Sequence, residues 1–350
     1  MSEYRGKTID THVHLQTVAA IDGFRRIMES CAIDALGVAC IQRDHPHVNP
    51  VAFLMKARYP QSTFVFGGLD YDPPGGEETG TDFAGQVQRL VTLGADGMKM
   101  IEGKPNVRKA SGLALDDPQY HAYYAYLQDN AVPVLFHVAD PEEFWDEEAA
   151  PEIAKRNNWL YTDGTFPSKE QLYDESERVL RAFPALKVVF AHFRFLSADL
   201  ERAAAFLDAW PNACFDLTPG SEMYYNFSRR AADWREFFVR YQDRILFGTD
   251  NTTHTDDLEK WGVENIDRIR RFLASDAAFS GPGLALPPEV LEKIYHGNFE
   301  RVFGVEPKPV DVAGIVAQSA ILLEHARATG GPQDSITELE TIMQQLSGLV

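Results

Sequence analysis

Residues 7–15 read KTIDTHVHL, a short apolar run that closes on two histidines one residue apart, His12 and His14. Alternate residues of a strand point to the same face, so the two imidazoles leave the end of the first strand together. Further short apolar runs follow at regular intervals, and the spacing predicts strands at Thr8–His14, Ala35–Ile41, Thr63–Leu69, Gly97–Ile101, Pro133–Val138, Lys187–His192, Cys214–Leu217 and Ile245–Gly248. Amphipathic stretches lie between them, from Asp22–Glu29 to Asp256–Leu273. Eight such alternations read as parallel βα units. With eight units and no GxGxxG turn, the expectation is an α/β fold, a (β/α)8 TIM barrel, rather than a doubly wound sheet.

Punctuation agrees. Ser168 precedes Lys169-Glu170-Gln171, a helix N-cap with an acceptor three residues on, and Pro184 and Pro211 follow helices that must stop. The barrel is expected over 1–304, interrupted by a long insertion at 139–167. Loops of that length in a compact domain are functional or disordered, and Trp145, Trp159, Tyr161 and Phe166 favour a lid or pocket wall. After Gly304 the link EPKPVD leads to a helical C-terminal extension over 305–350, with helices near Val312–Ala328 and Asp334–Leu346. Apolar positions there recur at helical spacing beside Glu324 and Glu338–Glu340, so the tail is expected to pack on the barrel or form a homodimer.

Of the 350 residues, 45% are hydrophobic and 24% charged, enough for a large core. A net charge of −19 disfavours nucleic acid and anionic lipid as partners. A small-molecule substrate is the expected partner, because a bound metal can dominate the local field whatever the global charge. Three cysteines without CxxC spacing give neither a disulfide framework nor a thiolate zinc site, which fits a reducing cytosol. No stretch resembles a signal peptide, and none approaches the ~20 apolar residues of a membrane span. The expected location is the cytoplasm.

The chemistry-bearing residues share one position type. His137 closes VPVLFH, His192 closes LKVVFAH and Asp250 closes ILFGTD. Each alone has a bland reading, a core histidine or a helix N-cap. Together with His12 and His14 they occupy the C-terminal ends of strands one, five, six and eight. Barrel active sites are built at those ends, and imidazole is a common ligand for a borderline divalent ion.

On IDTHVHL, PVLFHVAD, VVFAHF, LFGTDN and IYHGNFERVFG, spread over residues 7 to about 304, the chain resembles the amidohydrolase superfamily. The resemblance is to the amidohydrolase-related branch, which includes aminocarboxymuconate-semialdehyde decarboxylase, resorcylate-type decarboxylases and pyrone-dicarboxylate lactonase. It implies one divalent metal ion, Zn²⁺ with Mn²⁺ as the alternative, held by His12, His14, His137 and Asp250. It also implies a place for His192 beside the water or substrate. The implied chemistry is hydrolysis of a C–N or C–O bond with Asp250 as proton shuttle and His192 as orienter. The alternative is non-oxidative decarboxylation of an aromatic or unsaturated acid, for which the ligand set is the same. Lys99, in GMKM, has two readings. By resemblance it is a carboxylated bridge between two metals; the favoured one-metal reading makes it a cationic contact for substrate, Asp10 or Glu102.

Other strand-end residues are candidates for substrate contact. Arg194 in HFRF can clamp a carboxylate or pair with an acidic neighbour. Glu222 and Tyr224 lie in TPGSEMYYNF after the seventh strand, and Asp140 can accept the second N–H of His137. His45 and His47, separated by Pro46, read as solvated loop histidines. His254 is a rim candidate, and Asn298 is assigned no chemistry.

Overall fold

The computed structural model describes residues 4, 6–43, 45–71, 82–253 and 257–349; His254 lies outside them. Among these residues nine parallel strands form one sheet: β1 (Ile9–His14), β2 (Ala35–Ala39), β3 (Thr63–Gly68), β4 (Gly97–Gly103), β5 (Val134–Val138), β6 (Val188–Phe190), β7 (Ala213–Asp216), β8 (Ile245–Leu246) and β9 (Asn251–Thr252). The last two are one interrupted eighth barrel strand. β8 pairs with β7 through Phe215–Ile245 and Asp216–Leu246, and β9 pairs with β1 through Val13–Asn251 and His14–Thr252. In the gap, Thr11 N donates to Phe247 O at 3.0 Å and Asp250 N to His12 O at 2.9 Å. The eighth strand therefore crosses from β7 to β1 and closes the ring. The predicted TIM barrel is the observed architecture, with the sixth strand ending early, at Phe190, and the eighth broken around Asp250.

The barrel interior is filled by Ile9, Ala35, Phe64, Phe66, Leu135, Val189, Cys214 and Leu246, and by Phe299, Val302 and Phe303 from the helix Asn298–Phe303. That helix plugs the floor beneath the strands, its Phe303 ring stacked on Phe66 at 4.3 Å. Gly97 leaves the space these rings use, since a Cβ there would sit 3.2 Å from both. Asn298 serves the same floor, donating to Gln242 O and Ile245 O at 2.7 and 2.8 Å. Phe299 is 1% exposed. Phe299→Ala is expected to lower unfolding free energy by about 3–5 kcal/mol in a denaturant titration, and a loss below about 1 kcal/mol would show that the plug is not part of the core.

A bulge sets the phase of β1. Its pairing with β2 shifts between Asp10 and Val13. Ile9 faces the barrel interior, yet Val13 joins the outer core beneath the helices. Strict alternation would put both on one side. The extra residue turns His12 and His14 inward. Gly37 on β2 makes room, because a Cβ there would lie 2.3 Å from the Thr11 carbonyl.

The insertion builds a small core of its own from Phe144, Ala150, Ala154 and Tyr161, backed by Trp145, Trp159, Leu160 and Phe166. The C-terminal helices Val312–Thr329 and Gln333–Ser347 pair through Leu322, Leu323 and Leu339. Ile315, Ile342 and Leu346 of the pair join the main core. Among the described residues no helix is long and apolar enough to cross a membrane.

Candidate metal centre

His12 and His14 reach the centre from β1, and each is held by its Nδ1. His12 Nδ1 lies 2.9 Å from Asp216 Oδ2, both fully buried, and His14 Nδ1 lies 2.7 Å from Ala39 O. A carbonyl only accepts, so His14 carries its proton on Nδ1. Asp216 Oδ1 is occupied by donors: His192 N at 2.8 Å, Thr218 N at 3.1 Å and Thr218 Oγ1 at 2.5 Å. Oδ2 is left to accept from His12. Both imidazoles therefore turn a bare Nε2 inward, and these nitrogens stand 3.1 Å apart. Asp250 Oδ1 faces the same point, 3.2 Å from His14 Nε2 and 3.6 Å from His12 Nε2.

Three acceptor atoms facing one another repel unless a cation stands near them; Lys99 Nζ, 3.1 Å from His12 Nε2, relieves one, and a divalent ion among them would relieve all three. The ligand-type atoms of His12, His14 and Asp250 all lie within 4.8 Å of one another. Two imidazoles at about 2.0–2.1 Å from a tetrahedral ion would have nitrogens about 3.3 Å apart. The residues fit a divalent ion. Burial, then the neighbouring Lys99, holds His12 well below the ordinary histidine range. Burial would raise Asp250, but the facing His14 ring and the other imidazoles around it hold its carboxyl far below the usual carboxylate range.

Asp250 adopts φ +57°, a left-handed conformation that aims its carboxylate back at β1. Such a residue costs of order 1–2 kcal/mol and persists only where its surroundings hold it. The support is a network that sequence reading missed. Asp10 accepts from Thr249 N at 3.1 Å and Thr249 Oγ1 at 2.6 Å, and Asn265 Nδ2 donates to Thr249 O at 2.7 Å. Asp10 is thus a brace for the Asp250 turn, its carboxyl pushed up to about 7 by burial.

His137 lies outside the three-residue group. Its Nε2 is 3.2 Å from Asp140 Oδ1, as expected of a second partner for the ring. Asp140 also accepts from Lys104 Nζ at 2.9 and 2.7 Å and from Tyr161 OH at 2.5 Å. The insertion thereby reaches the site through Tyr161. His137 and His192 stand edge to face, ring centres 4.9 Å apart.

His192 begins a left-handed turn in which four successive residues, His192 to Phe195, have φ between 52° and 55°. The turn follows β6 and is pinned at its start by the bonds from His192 N to Asp216 Oδ1 and, at 3.1 Å, Thr218 Oγ1. It puts the His192 ring 5.8 Å from that of His12, with Nδ1 3.3 Å from Thr218 O. Burial lowers its pKa to about 4, leaving a neutral ring. Lys99 Nζ lies 3.1 Å from His12 Nε2, and burial lowers it to about 8.

The same turn corrects the expectation for Arg194. Its side chain is 1% exposed and points away from the barrel axis, stacked over Phe206 at 3.9 Å and Tyr173 at 4.4 Å. Its NH2 meets Ser176 Oγ at 3.0 Å and Glu177 at 3.4 Å. It is not a substrate clamp. Tyr224 is corrected likewise: its hydroxyl donates to Leu217 O at 2.7 Å, and its ring packs on Phe272 inside the core. Glu222 stands where three loops meet. Its Oε1 is 3.4 Å from Ser197 Oγ, and burial, aided by Glu143, pushes it up to about 7. His47, expected in solvent, is buried between Gln16 O and Ser335 Oγ.

Asp216 is the principal residue that sequence reading overlooked. Its signal is the one that marked Asp250: an apolar run, ACFD, closing on an aspartate at a strand end.

The parallel barrel gathers a histidine pair on β1 and an aspartate after the eighth strand into one group that could hold a metal ion. Residues 9–305 match the amidohydrolase family model, and the chain belongs to that family, whose members are enzymes. It is similar in structure to an uncharacterized TIM-barrel protein from Bordetella bronchiseptica, at 19% identity and TM-score 0.53 over 85% of this chain and 98% of that one. It is also similar to 2,6-dihydroxybenzoate decarboxylase from Rhizobium, at 15% identity and TM-score 0.51 over 85% and 98%. The 5-carboxyvanillate decarboxylase from Sphingomonas paucimobilis is 14% identical, with TM-score 0.50 over 85% and 98%. At these identities the likeness is one of fold. No curated protein matches the chain.

Proposed function

We propose that the protein is a metal-dependent hydrolase that cleaves a C–N or C–O bond of a small cyclic or acylated molecule, using one divalent ion held by His12, His14 and Asp250. The observation that carries this reading is the pair of Nε2 atoms 3.1 Å apart, turned together toward Asp250 with each ring's other nitrogen spent on an acceptor; Lys99 Nζ lies 3.1 Å from the His12 atom. Three protein ligands and an open position are the arrangement of catalytic rather than structural zinc sites. A bound ion would supply Lewis acidity and lower the pKa of water from about 15.7 to about 7.

The chain's own groups supply the rest. Asp250, kept ionised, takes a proton from the attacking water and returns it to the leaving group. His192, neutral with Nδ1–H turned to Thr218 O, offers Nε2 as an acceptor and orients that water. Lys99 and Glu222 are the proposed substrate contacts. His137 stands beside them, fixed by Asp140.

A second reading rests on Lys99. A buried amine beside His12 Nε2 suits an anionic substrate group, and the decarboxylation of an aromatic or unsaturated acid would use it to hold a carboxylate. Assay of the zinc-loaded protein against lactones, cyclic amides and esters, and against hydroxylated aromatic acids, separates the two. Hydrolysis consumes water and yields a carboxylate without releasing CO₂, and for lactones and esters it also releases a proton. Release of CO₂ from an acid, with no lactone, amide or ester turned over, would replace the first reading by the second.

A further inference from the structure

We infer that the C-terminal helical hairpin is a positioning element for His14 and Asp250, acting through Gln16. The inference rests on the proposed metal site. It concerns a part of the chain beyond residue 305, outside the segment that matches the family model.

Gln16 lies two residues after His14 and is joined to the strand end that carries Asp250. Its side chain accepts from Thr253 Oγ1, and Thr253 N donates to His14 O at 3.3 Å. The Gln16 backbone carbonyl accepts from His47 Nε2 at 2.9 Å. Because that carbonyl only accepts, His47 carries its proton on Nε2, and its Nδ1 receives the hydroxyl of Ser335 at 3.0 Å. Ser335 is fully buried. Three residues along the same helix, Glu338 Oε2 accepts from Val18 N at 2.8 Å. One face of the helix Gln333–Ser347 thus holds the chain just after the ligand at two points, residue 16 by way of His47 and residue 18 directly.

Packing alone does not require these contacts. The helix is docked elsewhere by Ile342 and Leu346 in the core and by Arg58 NH2 on Gln345 Oε1 at 2.5 Å. The Ser335 and Glu338 contacts lead to the segment that follows His14, and their absence would free Gln16 to slide between the two strand ends. Partners behind a metal ligand are worth about 10–100-fold in affinity, and a brace one step further out is expected at the lower end.

The test uses the full chain loaded with Co²⁺, whose visible absorption reports ligand geometry. The double variant Ser335→Ala/Glu338→Ala is expected to lose Co²⁺ to a chelator about tenfold faster than wild type, with an altered spectrum. Glu338→Gln keeps an acceptor for Val18 N and should behave as wild type. Gln345→Ala, which weakens docking only, should leave rate and spectrum unchanged. Each single alanine variant is read as well, so misfolding of the double leaves the singles to decide. Loaded wild type with alanine variants of unchanged rate and spectrum overturns the inference alone, as does a Gln345→Ala effect equal to theirs. Wild-type chain that takes up no Co²⁺ overturns the metal reading and this inference together.

Discussion

Replacing Asp216 by asparagine is expected to empty the metal site while leaving the barrel folded. The geometry dictates how the amide must sit. Three donors, His192 N, Thr218 N and Thr218 Oγ1, converge on the position of Oδ1, so the amide oxygen is held there. The NH₂ then takes the place of Oδ2 and faces His12 Nδ1. It can only donate, which forces His12 to carry its proton on Nε2, the atom turned toward His14 and Asp250. A protonated nitrogen cannot ligate. Loss of metal affinity of about 100-fold or more, the upper end for a partner behind a ligand, is expected. Chelator competition measures it, and circular dichroism checks the fold. An asparagine variant that holds the ion as tightly as wild type would show that Asp216 does not set the His12 tautomer.

Asp250→Asn is expected to abolish turnover on any substrate identified for the protein. Two losses coincide. The amide cannot accept and return a proton, which alone removes about 10²–10⁴-fold of rate for a general acid–base group. It also offers a neutral ligand where a carboxylate held strongly ionised now stands. The brace on Thr249 from Asp10 and Asn265 is untouched, so the turn and the fold should survive. Steady-state kinetics at saturating metal separates the two losses, since added ion can restore occupancy but not the proton shuttle. Retained activity at saturating metal would remove Asp250 from the proton path.

Much of this site could be read from KTIDTHVHL and ILFGTD, because a ligand at a strand end needs only a short apolar run before it. The remainder depended on backbone geometry that side-chain pattern does not encode. Two-residue alternation from Ile9 would have turned His12 away from the axis; the bulge between Asp10 and Val13 restores it. Arg194 follows His192 by two, and an extended strand would bring both to the same side. The left-handed turn over 192–195 sends the guanidinium outward to Glu177 instead. Tyr224 was placed correctly after the seventh strand, but its hydroxyl is spent on Leu217 O. His47 looked like a solvated loop residue because its cover, Ser335, is 288 positions away in the chain. Asp216 carries the same strand-end signal as Asp250, an apolar run closing on an aspartate.

If His12, His14 and Asp250 hold one catalytic divalent ion, metal analysis of the purified full chain reads it out. About one divalent ion per chain is expected for wild type, and essentially none for His12→Ala of unchanged fold. Two ions per chain, with added mass on Lys99, would replace the single-ion site by a bridged pair. A correctly folded wild-type protein that retains no ion, and takes up none when Zn²⁺ or Mn²⁺ is supplied, would rule out the metal centre.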